Sequence, residues 1–205
     1  MTQEPRRVVG SGYDAIAERY AEALRGGRGP ETYFRRFLDR VLDLVPDRGR
    51  VLDLGCGAGL ITAELTARSR VVGVDISAMQ LELARRNAPA AAFVRADMTD
   101  LAFVPRSFDA VVAFWTLIHV PRTFHPALIA RIHGWLEPGG LFAGTLGSGD
   151  NPAEMIPDFH GAPMYWSHFD ADTNRQLLRD AGFRLMQADE IEDEGEIPLW
   201  VIATA

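Results

Sequence analysis

The sequence contains no lysine, so all 21 of its basic residues are arginines, and 28 acidic residues outnumber them. The formal net charge of the 205 residues is -7 at pH 7. Tight binding to a phosphate backbone depends on clustered cations, and the sequence has no basic tract. We therefore expect no nucleic-acid partner.

Cysteine and long apolar runs are also scarce. The single cysteine, Cys56, excludes an intramolecular disulfide and a zinc site built from cysteines. No stretch is long and apolar enough to span a bilayer, and the first residues lack the apolar core of a signal peptide. No spacing of Asp, Glu and His predicts a metal site. We expect a cytoplasmic protein with no metal and no membrane partner.

Short apolar runs alternate with segments of helical periodicity from residue 50 onward. The predicted strands are 50–54, 70–75, 91–97, 108–114 and 140–146, and the predicted helices between them are 59–68, 77–87 and 124–136. Strand and helix repeated in this order predict a doubly wound, mostly parallel α/β sheet with helices on both faces.

The regions on either side depart from this rhythm. Residues 11–45 predict two amphipathic helices that are separated by the breaker GGRGP and cover part of the sheet. Residues 147–170 contain three prolines and four aromatic residues without a clear period, which predicts a long loop that serves as part of a substrate lid. A helix and a terminal antiparallel hairpin follow, and the hairpin brings the predicted sheet to seven strands.

The stretch VLDLGCGAGL, residues 51–60, joins the first predicted strand to the helix after it. Gly55, Gly57 and Gly59 suit a turn with positive φ or a close approach by a ligand. A dinucleotide-binding loop has the spacing G-x-G-x-x-G, but position 60 holds Leu60. Asp53 would repel a pyrophosphate and attract an ammonium or sulfonium group. The loop therefore predicts a nucleoside ligand with a cationic tail, although such turns also occur for packing alone.

Two more acidic residues end the next two predicted strands. Asp75 lies 20 residues beyond Gly55, where doubly wound nucleotide sites place an acid that binds ribose hydroxyls. Asp97, followed by Met98, ends the third strand, where an acid can meet an exocyclic amine and an apolar chain can cover a purine. Both acids also have a structural interpretation. Asp75 can cap the next helix, although Ser77 is an equally good candidate for the cap, and Asp97 can be an ordinary turn residue. Their succession predicts a ligand at the carboxyl edge of the sheet.

These motifs resemble those of the class I S-adenosylmethionine-dependent methyltransferases, in the branch that acts on small molecules. The stretch VLDLGCGAG is similar to the family's first motif, VVGVDIS to its second, FVRADMTDL to its third, FDAVVAFWTLIHV to its fourth and LEPGGLF to the lead into its fifth strand. The segment YDAIAERY resembles the family's N-terminal helix, so the resemblance covers residues 11–146. It implies S-adenosyl-L-methionine as cofactor and S-adenosyl-L-homocysteine as product.

The resemblance also implies a role for individual residues. Asp53 and the glycines would face the methionine and ribose portions of the cofactor, Asp75 the ribose diol, and Asp97 the adenine amine. The implied cofactor-binding residues are Tyr13, Tyr20, Asp53, Gly55, Cys56, Gly57, Asp75, Ile76, Asp97, Met98 and Phe114. We expect one methyltransferase domain over 1–205, with an N-terminal helical cap (1–46), a cofactor-binding core (47–146), the lid loop (147–170) and a C-terminal helix and hairpin (171–205).

The acceptor site is less marked in the sequence. His119 follows the fourth strand and His168 lies beside the predicted lid, so each is a candidate catalytic base, although a lone histidine is more often structural. Aromatic residues here can form an apolar or cation-holding pocket, or belong to the core. The predicted substrate-binding residues are Trp115, Tyr165, Trp166 and His160. The fourth strand leads into AFWT, whereas methyltransferases of nucleic-acid amino groups carry Asn or Asp and two prolines there.

We therefore expect methyl transfer to an oxygen, nitrogen or sulfur nucleophile of a small metabolite, by a monomer or homodimer. Two other functions stay open. One is a protein of the same fold that binds S-adenosylmethionine without transferring its methyl group, as a regulator or as a catalyst of cyclisation or rearrangement. The other is a nicotinamide oxidoreductase, against which Leu60 and Asp53 argue.

Overall fold

The computed structural model of the chain describes residues 4–26, 29 and 31–205. Its strands are β1 (Arg50–Leu54), β2 (Arg70–Asp75), β3 (Ala92–Arg95), β4 (Phe108–Ala113), β5 (Leu136–Leu146), β6 (Asn151–Phe159), β7 (Ala162–His168), β8 (Arg184–Glu190) and β9 (Leu199–Thr204). Its α-helices are α1 (Pro5–Gly26), α2 (Tyr33–Leu44), α3 (Leu60–Thr66), α4 (Ala78–Asn87), α5 (His125–Trp135) and α6 (Ala171–Asp180). No helix in these ranges is long and apolar enough to cross a membrane.

Seven strands form one sheet in the order β3-β2-β1-β4-β5-β9-β8. Strands β1 to β5 pair in parallel, and β9 pairs antiparallel with both β5 and β8. This confirms the predicted doubly wound sheet with an antiparallel C-terminal hairpin. The strand order reverses between β1 and β4, and ligands of such sheets bind at the carboxyl ends of the strands beside that reversal.

Both faces of the sheet are buried, as expected for parallel strands between helical layers. Neighbouring residues of β1 show this alternation: Val51 packs in the cluster formed by α2 and α3, and Leu52 packs in the cluster formed by α5 and α6. The predicted N-terminal helices are confirmed as α1 and α2, although α1 begins at Pro5, earlier than expected. The breaker GGRGP between them lies partly outside the described residues.

The prediction of a loop over 147–170 is wrong, because β6 and β7 form a two-stranded antiparallel ribbon there. Its three prolines are tolerated because each strand of a two-stranded ribbon has an unpaired edge. Phe159 pairs with Ala162 across a two-residue turn in which His160 and Gly161 have φ values of 51° and 93°. Positive φ at both central residues is typical of the tight hairpin turn. We call residues 151–168 the β6–β7 hairpin.

Helix α1 and the β6–β7 hairpin pack against each other over the carboxyl edge of the sheet. Val8, Val9 and Ile16 of α1 are buried in one cluster with Ala162 and Met164 of β7. The link between β8 and β9 is fixed to α2, because the Asp193 carboxylate accepts hydrogen bonds from the backbone N–H groups of Tyr33 and Phe34, at 2.7 and 3.0 Å. These contacts place three segments around the region where a ligand is expected.

Candidate active site

The loop after β1 depends on glycine for its backbone and its packing. Gly55, Gly57 and Gly59 have φ values of 67°, 51° and 74°. A Cβ on Gly55 would lie 1.9 Å from Oγ1 of Thr116, and one on Gly59 would lie 2.9 Å from Ala84. At Gly57 the nearest atom would be a side-chain oxygen 3.8 Å away, so this peptide is open on its outer side. The loop therefore presents its backbone to the space beside it.

A first cavity lies at this loop, between the carboxyl ends of β1 to β4 and the inner face of α1. It brings together the residues that the sequence implied for the cofactor, with the exception of Gly59, which packs against Ala84. They are Tyr13, Tyr20, Asp53, Gly55, Cys56, Gly57, Asp75, Ile76, Asp97, Met98 and Phe114. Their binding role stays a prediction, but their common location matches it.

Asp75 holds the glycine loop in place. Its Oδ2 accepts a hydrogen bond from the N–H of Gly57 at 2.9 Å, and its Oδ1 accepts one from the N–H of Ser77 at 2.8 Å. Burial raises the pKa of Asp75 to about 6, and these hydrogen bonds to the charged form oppose the rise. Ser77, and not Asp75, is the N-cap of α4. The carboxylate of Asp75 is thus available to the cavity as well as to the loop.

Asp53 forms part of the cavity floor. Its side chain is buried, and its Oδ2 accepts a hydrogen bond from the hydroxyl of Thr62 at 2.6 Å. Burial raises the pKa of the Cys56 thiol well above its usual value, and the carboxylates of Asp53 and Asp75 add to the rise. The thiol therefore stays protonated, which agrees with its interpretation as a small residue in a tight turn.

Asp97 is held at the far end of the cavity. Its Oδ1 accepts hydrogen bonds from the backbone N–H and the hydroxyl of Thr99, both at 2.7 Å. Its Oδ2 lies 3.3 Å from Nε of Arg6, whose guanidinium also donates to Asp100 at 2.8 Å. Arg6 was missed because nothing in the sequence shows that the first turn of α1 reaches the end of β3. Its spacing of three and seven residues from Val9 and Tyr13 was the available signal.

A second cavity adjoins the first and shares Tyr13, Tyr20, Leu24, Trp115 and His119 with it. Aromatic rings and carboxylates dominate its surface. It is lined by Tyr13, Tyr20, Ala23, Leu24, Phe34, Trp115, Ile118, His119, Phe159, His160, Trp166, Asp193, Glu194 and Glu196. Three of the four predicted substrate-binding residues, Trp115, His160 and Trp166, are among these.

His119 lies between the two cavities with a defined proton position. Its Nδ1 is 2.7 Å from the carbonyl oxygen of Tyr165, which can only accept, so Nδ1 carries the proton. Its Nε2, 2.8 Å from the hydroxyl of Tyr13, therefore accepts a hydrogen bond from that phenol. Burial lowers the pKa of His119 to about 4, and burial also raises the pKa of Tyr13 well above its usual value. At neutral pH both groups are uncharged.

Two predicted site residues line neither cavity. His168 is 2.8 Å through Nδ1 from the carbonyl oxygen of Gly149, at the base of the hairpin. The Tyr165 side chain is buried against α1, and only its carbonyl oxygen reaches the site, through His119. The structure thus gives no support to a catalytic role for His168 or to a substrate contact by the Tyr165 ring. The described residues also contain no group of three or more His, Cys, Asp or Glu side chains placed to hold a metal ion.

The sheet order, the glycine loop and the acids along one edge define the fold class of the S-adenosylmethionine-dependent methyltransferases of class I. Residues 51–140 match the family model of a methyltransferase domain. Over residues 51–140 the chain is therefore similar to this family, and its fold is that of the class I S-adenosylmethionine-dependent methyltransferases.

Curated relatives include proteins that act on different small molecules. An O-methyltransferase, cnsE, from Penicillium expansum is 34% identical over 73% of this chain and 58% of its own length. Phosphoethanolamine N-methyltransferase 3 from Arabidopsis thaliana is 32% identical over 85% of this chain and 36% of its own length. The chain thus spans between about a third and three fifths of these two relatives.

A solved structure shares the fold over nearly the whole chain. It is a magnesium protoporphyrin IX methyltransferase from Synechocystis with bound S-adenosylmethionine. The TM-score is 0.73 at 18% identity, over 99% of this chain and 98% of that one.

Proposed function

We propose that this chain transfers a methyl group from S-adenosylmethionine to an oxygen, nitrogen or sulfur nucleophile of a small molecule. The observation that carries the proposal is the Tyr13–His119 pair, which lies where the two cavities meet. When bound, the cofactor supplies a methyl group on a positively charged sulfur. The first cavity fits it, because Asp53 and Asp75 offer carboxylates to a cationic nucleoside and the Gly57 peptide is open to it.

The chain's own contribution is alignment, exclusion of water and proton transfer. Helix α1 and the β6–β7 hairpin cover the junction of the cavities. A hydroxyl acceptor can give its proton to the Tyr13 oxygen while the Tyr13 phenol passes its own proton to Nε2 of His119. His119 then carries one positive charge. Because the pKa of His119 is low, it releases the proton to water. A neutral amine acceptor needs no base before it attacks.

The lining of the second cavity favours a neutral or cationic acceptor. Six aromatic residues and the acidic residues Asp193, Glu194 and Glu196 line it, and the Asp193 carboxylate is already paired with the backbone N–H groups of Tyr33 and Phe34. Among the described residues that line it, none is an arginine. Aromatic faces and carboxylates attract cations and give an anion no counter-charge. This extends the prediction of an apolar or cation-holding pocket.

Two measurements test the proposal. Calorimetry with S-adenosylmethionine, S-adenosylhomocysteine and NADH should show binding of the first two only, and Asp75→Ala should abolish it, whereas Glu82→Gln on the exposed side of α4 should not. A methyl-release assay should then use aromatic alcohols and amines matched in size, in neutral, cationic and anionic forms. Binding without turnover on any acceptor would favour the non-transferring alternative, and binding of NADH alone would reject the proposal.

Cytoplasmic location, a monomeric or homodimeric state and the lack of a nucleic-acid partner are further parts of the proposal. Sedimentation of the purified chain, with and without S-adenosylhomocysteine, measures the oligomeric state directly.

A further inference from the structure

Ser167 in β7 joins three segments of the chain through one buried hydroxyl. The residue is 0% exposed. Its Oγ donates a hydrogen bond to the carbonyl oxygen of Pro152 in β6 at 2.7 Å and accepts one from the backbone N–H of Arg122 at 3.0 Å. A hydroxyl has one proton, so the bond to the Pro152 carbonyl leaves a lone pair of Oγ for the Arg122 N–H. The two bonds fix both strands of the β6–β7 hairpin to the segment that follows His119.

The Ser167 hydroxyl lies where the pairing of β6 with β7 is irregular. The register shifts between Asn151 and Glu154, so that two residues of β6, Pro152 and Ala153, oppose Ser167. An extra residue of this kind is a β-bulge, which interrupts the ladder of backbone hydrogen bonds and is common beside active sites. The hydroxyl gives the Pro152 carbonyl a hydrogen-bond partner at this interruption.

The side chain of Arg122 holds the same end of the hairpin. Its guanidinium pairs with the carboxylate of Asp150, just before β6, and lies 4.9 Å from the centre of the Phe169 ring, just after β7. A guanidinium that pairs with a carboxylate and lies over an aromatic ring is held in orientation as well as in place. The backbone N–H of Arg122 therefore has a defined position relative to Ser167.

These contacts are close to the bond that sets the proton position on His119. Tyr165, whose carbonyl oxygen is 2.7 Å from Nδ1 of His119, precedes Ser167 by two residues, which is roughly 7 Å along a strand. His119 precedes Arg122 by three residues. The Ser167–Arg122 and Tyr165–His119 bonds thus join the same two stretches of chain. A shift of β7 that breaks the first bond also moves the carbonyl away from the imidazole.

The tautomer of His119 depends on that carbonyl. A neutral imidazole carries one proton, and a carbonyl oxygen beside Nδ1 keeps the proton there because it can only accept. Without the carbonyl the proton can reside on Nε2, where it would face the phenol of Tyr13 as a second donor. Nε2 could then no longer accept the proton that Tyr13 passes on.

We propose that Ser167 is a positioning residue for proton transfer: its hydroxyl keeps the Tyr165 carbonyl against Nδ1 of His119 and so keeps Nε2 as the acceptor for Tyr13. Ser167 lines neither cavity, so it acts through His119 and not on a ligand. The inference rests on the proposed function, since this proton path matters only if a methyl group is transferred to a hydroxyl.

Nitrogen NMR of the histidine rings at pH 7 tests the proposal in the ligand-free protein, because protonated and unprotonated ring nitrogens resonate far apart. The wild type should show the Nδ1–H form of His119, whose signals are assigned by their loss in His119→Gln. Ser167→Ala should show a mixture that includes the Nε2–H form. Ser167→Thr, which keeps a hydroxyl, should return the spectrum to that of the wild type.

Thr32→Ala is the matched control for a general loss of stability. The Thr32 hydroxyl is bonded in the same way, because it donates to the Gly29 carbonyl at 2.8 Å and accepts from the Arg35 N–H at 3.2 Å. It lines neither cavity. Its loss should lower the melting temperature and leave the tautomer of His119 unchanged.

Kinetics give a second readout. In Ser167→Ala, kcat for a hydroxyl acceptor should fall roughly tenfold, the effect of losing the preference that about one hydrogen bond gives to the competent tautomer. The dissociation constant of S-adenosylhomocysteine should change by less than about twofold, and Ser167→Thr should recover most of kcat. If Ser167→Ala does not fold, Ser167→Cys replaces it in both measurements, because a thiol is of similar size and a weaker hydrogen-bonding group.

The inference is overturned if the wild type shows the Nε2–H form, or if His119 keeps the Nδ1–H form in Ser167→Ala. It is also overturned if Thr32→Ala changes the tautomer as much, or if Ser167→Ala loses kcat and cofactor affinity by the same factor. A wild type that shows the expected tautomer but methylates no acceptor overturns the proposed function and leaves the effect of Ser167 on His119 standing, so the two failures are distinguishable.

Discussion

The phenol of Tyr13 donates a hydrogen bond to Nε2 of His119 over 2.8 Å, and this bond joins α1 to the segment that follows β4. The geometry is fixed from the other side, because Nδ1 of His119 is held by the Tyr165 carbonyl in β7. One imidazole therefore connects α1, the β6–β7 hairpin and the central sheet. The contacts that hold α1 and the hairpin over the site therefore also hold His119, the proton acceptor, in place.

Tyr13→Phe should lower kcat for a hydroxyl acceptor by roughly 100-fold, within the range of general acid–base catalysis. The phenyl ring keeps the packing but removes the proton path to His119. The dissociation constant of S-adenosylhomocysteine should change by less than about threefold, since the hydrogen bonds of the Tyr13 hydroxyl join it to His119 and Tyr20, and the ring that faces the first cavity is kept. Steady-state kinetics and calorimetry on the same preparation give both values.

The matched control for this prediction is Tyr33→Phe, which removes a phenol that accepts from Gln187, outside both cavities. It should leave kcat unchanged. The double variant Tyr13→Phe/His119→Gln should be little worse than either single variant, because the two residues act in one proton path. Fully multiplicative losses would mean that they act independently, against the proposed path.

Cofactor affinity should weaken below about pH 6. In the folded chain Asp75 has a pKa of about 6, raised by burial, and the ionised form is the better acceptor for ligand hydroxyls. Each pH unit below that value should therefore raise the dissociation constant of S-adenosylhomocysteine by up to about tenfold. Calorimetry between pH 5 and 8 measures it. Asp75→Asn should bind more weakly at pH 8 and show a flat profile, and a wild-type profile that is flat as well would contradict this assignment.

His119 should make the ligand-free protein less stable as the pH falls from about 6.5 to 4. Its folded pKa of about 4 lies below the usual 6.5, so the unfolded chain takes up the proton first. Between pH 7 and 5 this removes about 2 kcal/mol from the free energy of unfolding. Asp75 acts in the opposite direction, because its raised pKa favours the folded state as the pH falls through 6. Urea denaturation of wild type and His119→Gln at both pH values isolates the histidine, and equal pH dependence would refute its contribution.

The sequence predicted the sheet and the cofactor end of the site better than the acceptor end. Strands such as Arg50–Leu54 show an apolar run. The glycines after this strand adopt positive φ values, which few other residues tolerate. The β6–β7 hairpin was missed because its prolines hide the strand pattern, although His160 and Gly161 form a recognisable turn between two aromatic-containing runs.

Reading that segment as a loop also misplaced its side chains. In a strand successive side chains point to opposite faces, so Tyr165 and Trp166 cannot both face the acceptor. The structure places Trp166 at the second cavity and the Tyr165 ring against α1. Arg6 was missed for another reason, because its contact with Asp97 joins distant segments and its spacing from Val9 and Tyr13 within α1 is a weak signal.

Gly161→Val should weaken acceptor binding without changing cofactor affinity. Gly161 has a φ of 93°, a conformation that a β-branched residue avoids, so the turn must rearrange at a cost of about 1–2 kcal/mol. The turn carries Phe159 and His160, which line the second cavity but not the first. We expect the KM of the acceptor to rise roughly tenfold, with the dissociation constant of S-adenosylhomocysteine unchanged. Gly149→Val is the control, because a Cβ there meets no atom within 4 Å. An equal loss in cofactor affinity would show that the hairpin shapes both cavities together and that they cannot be separated at this turn.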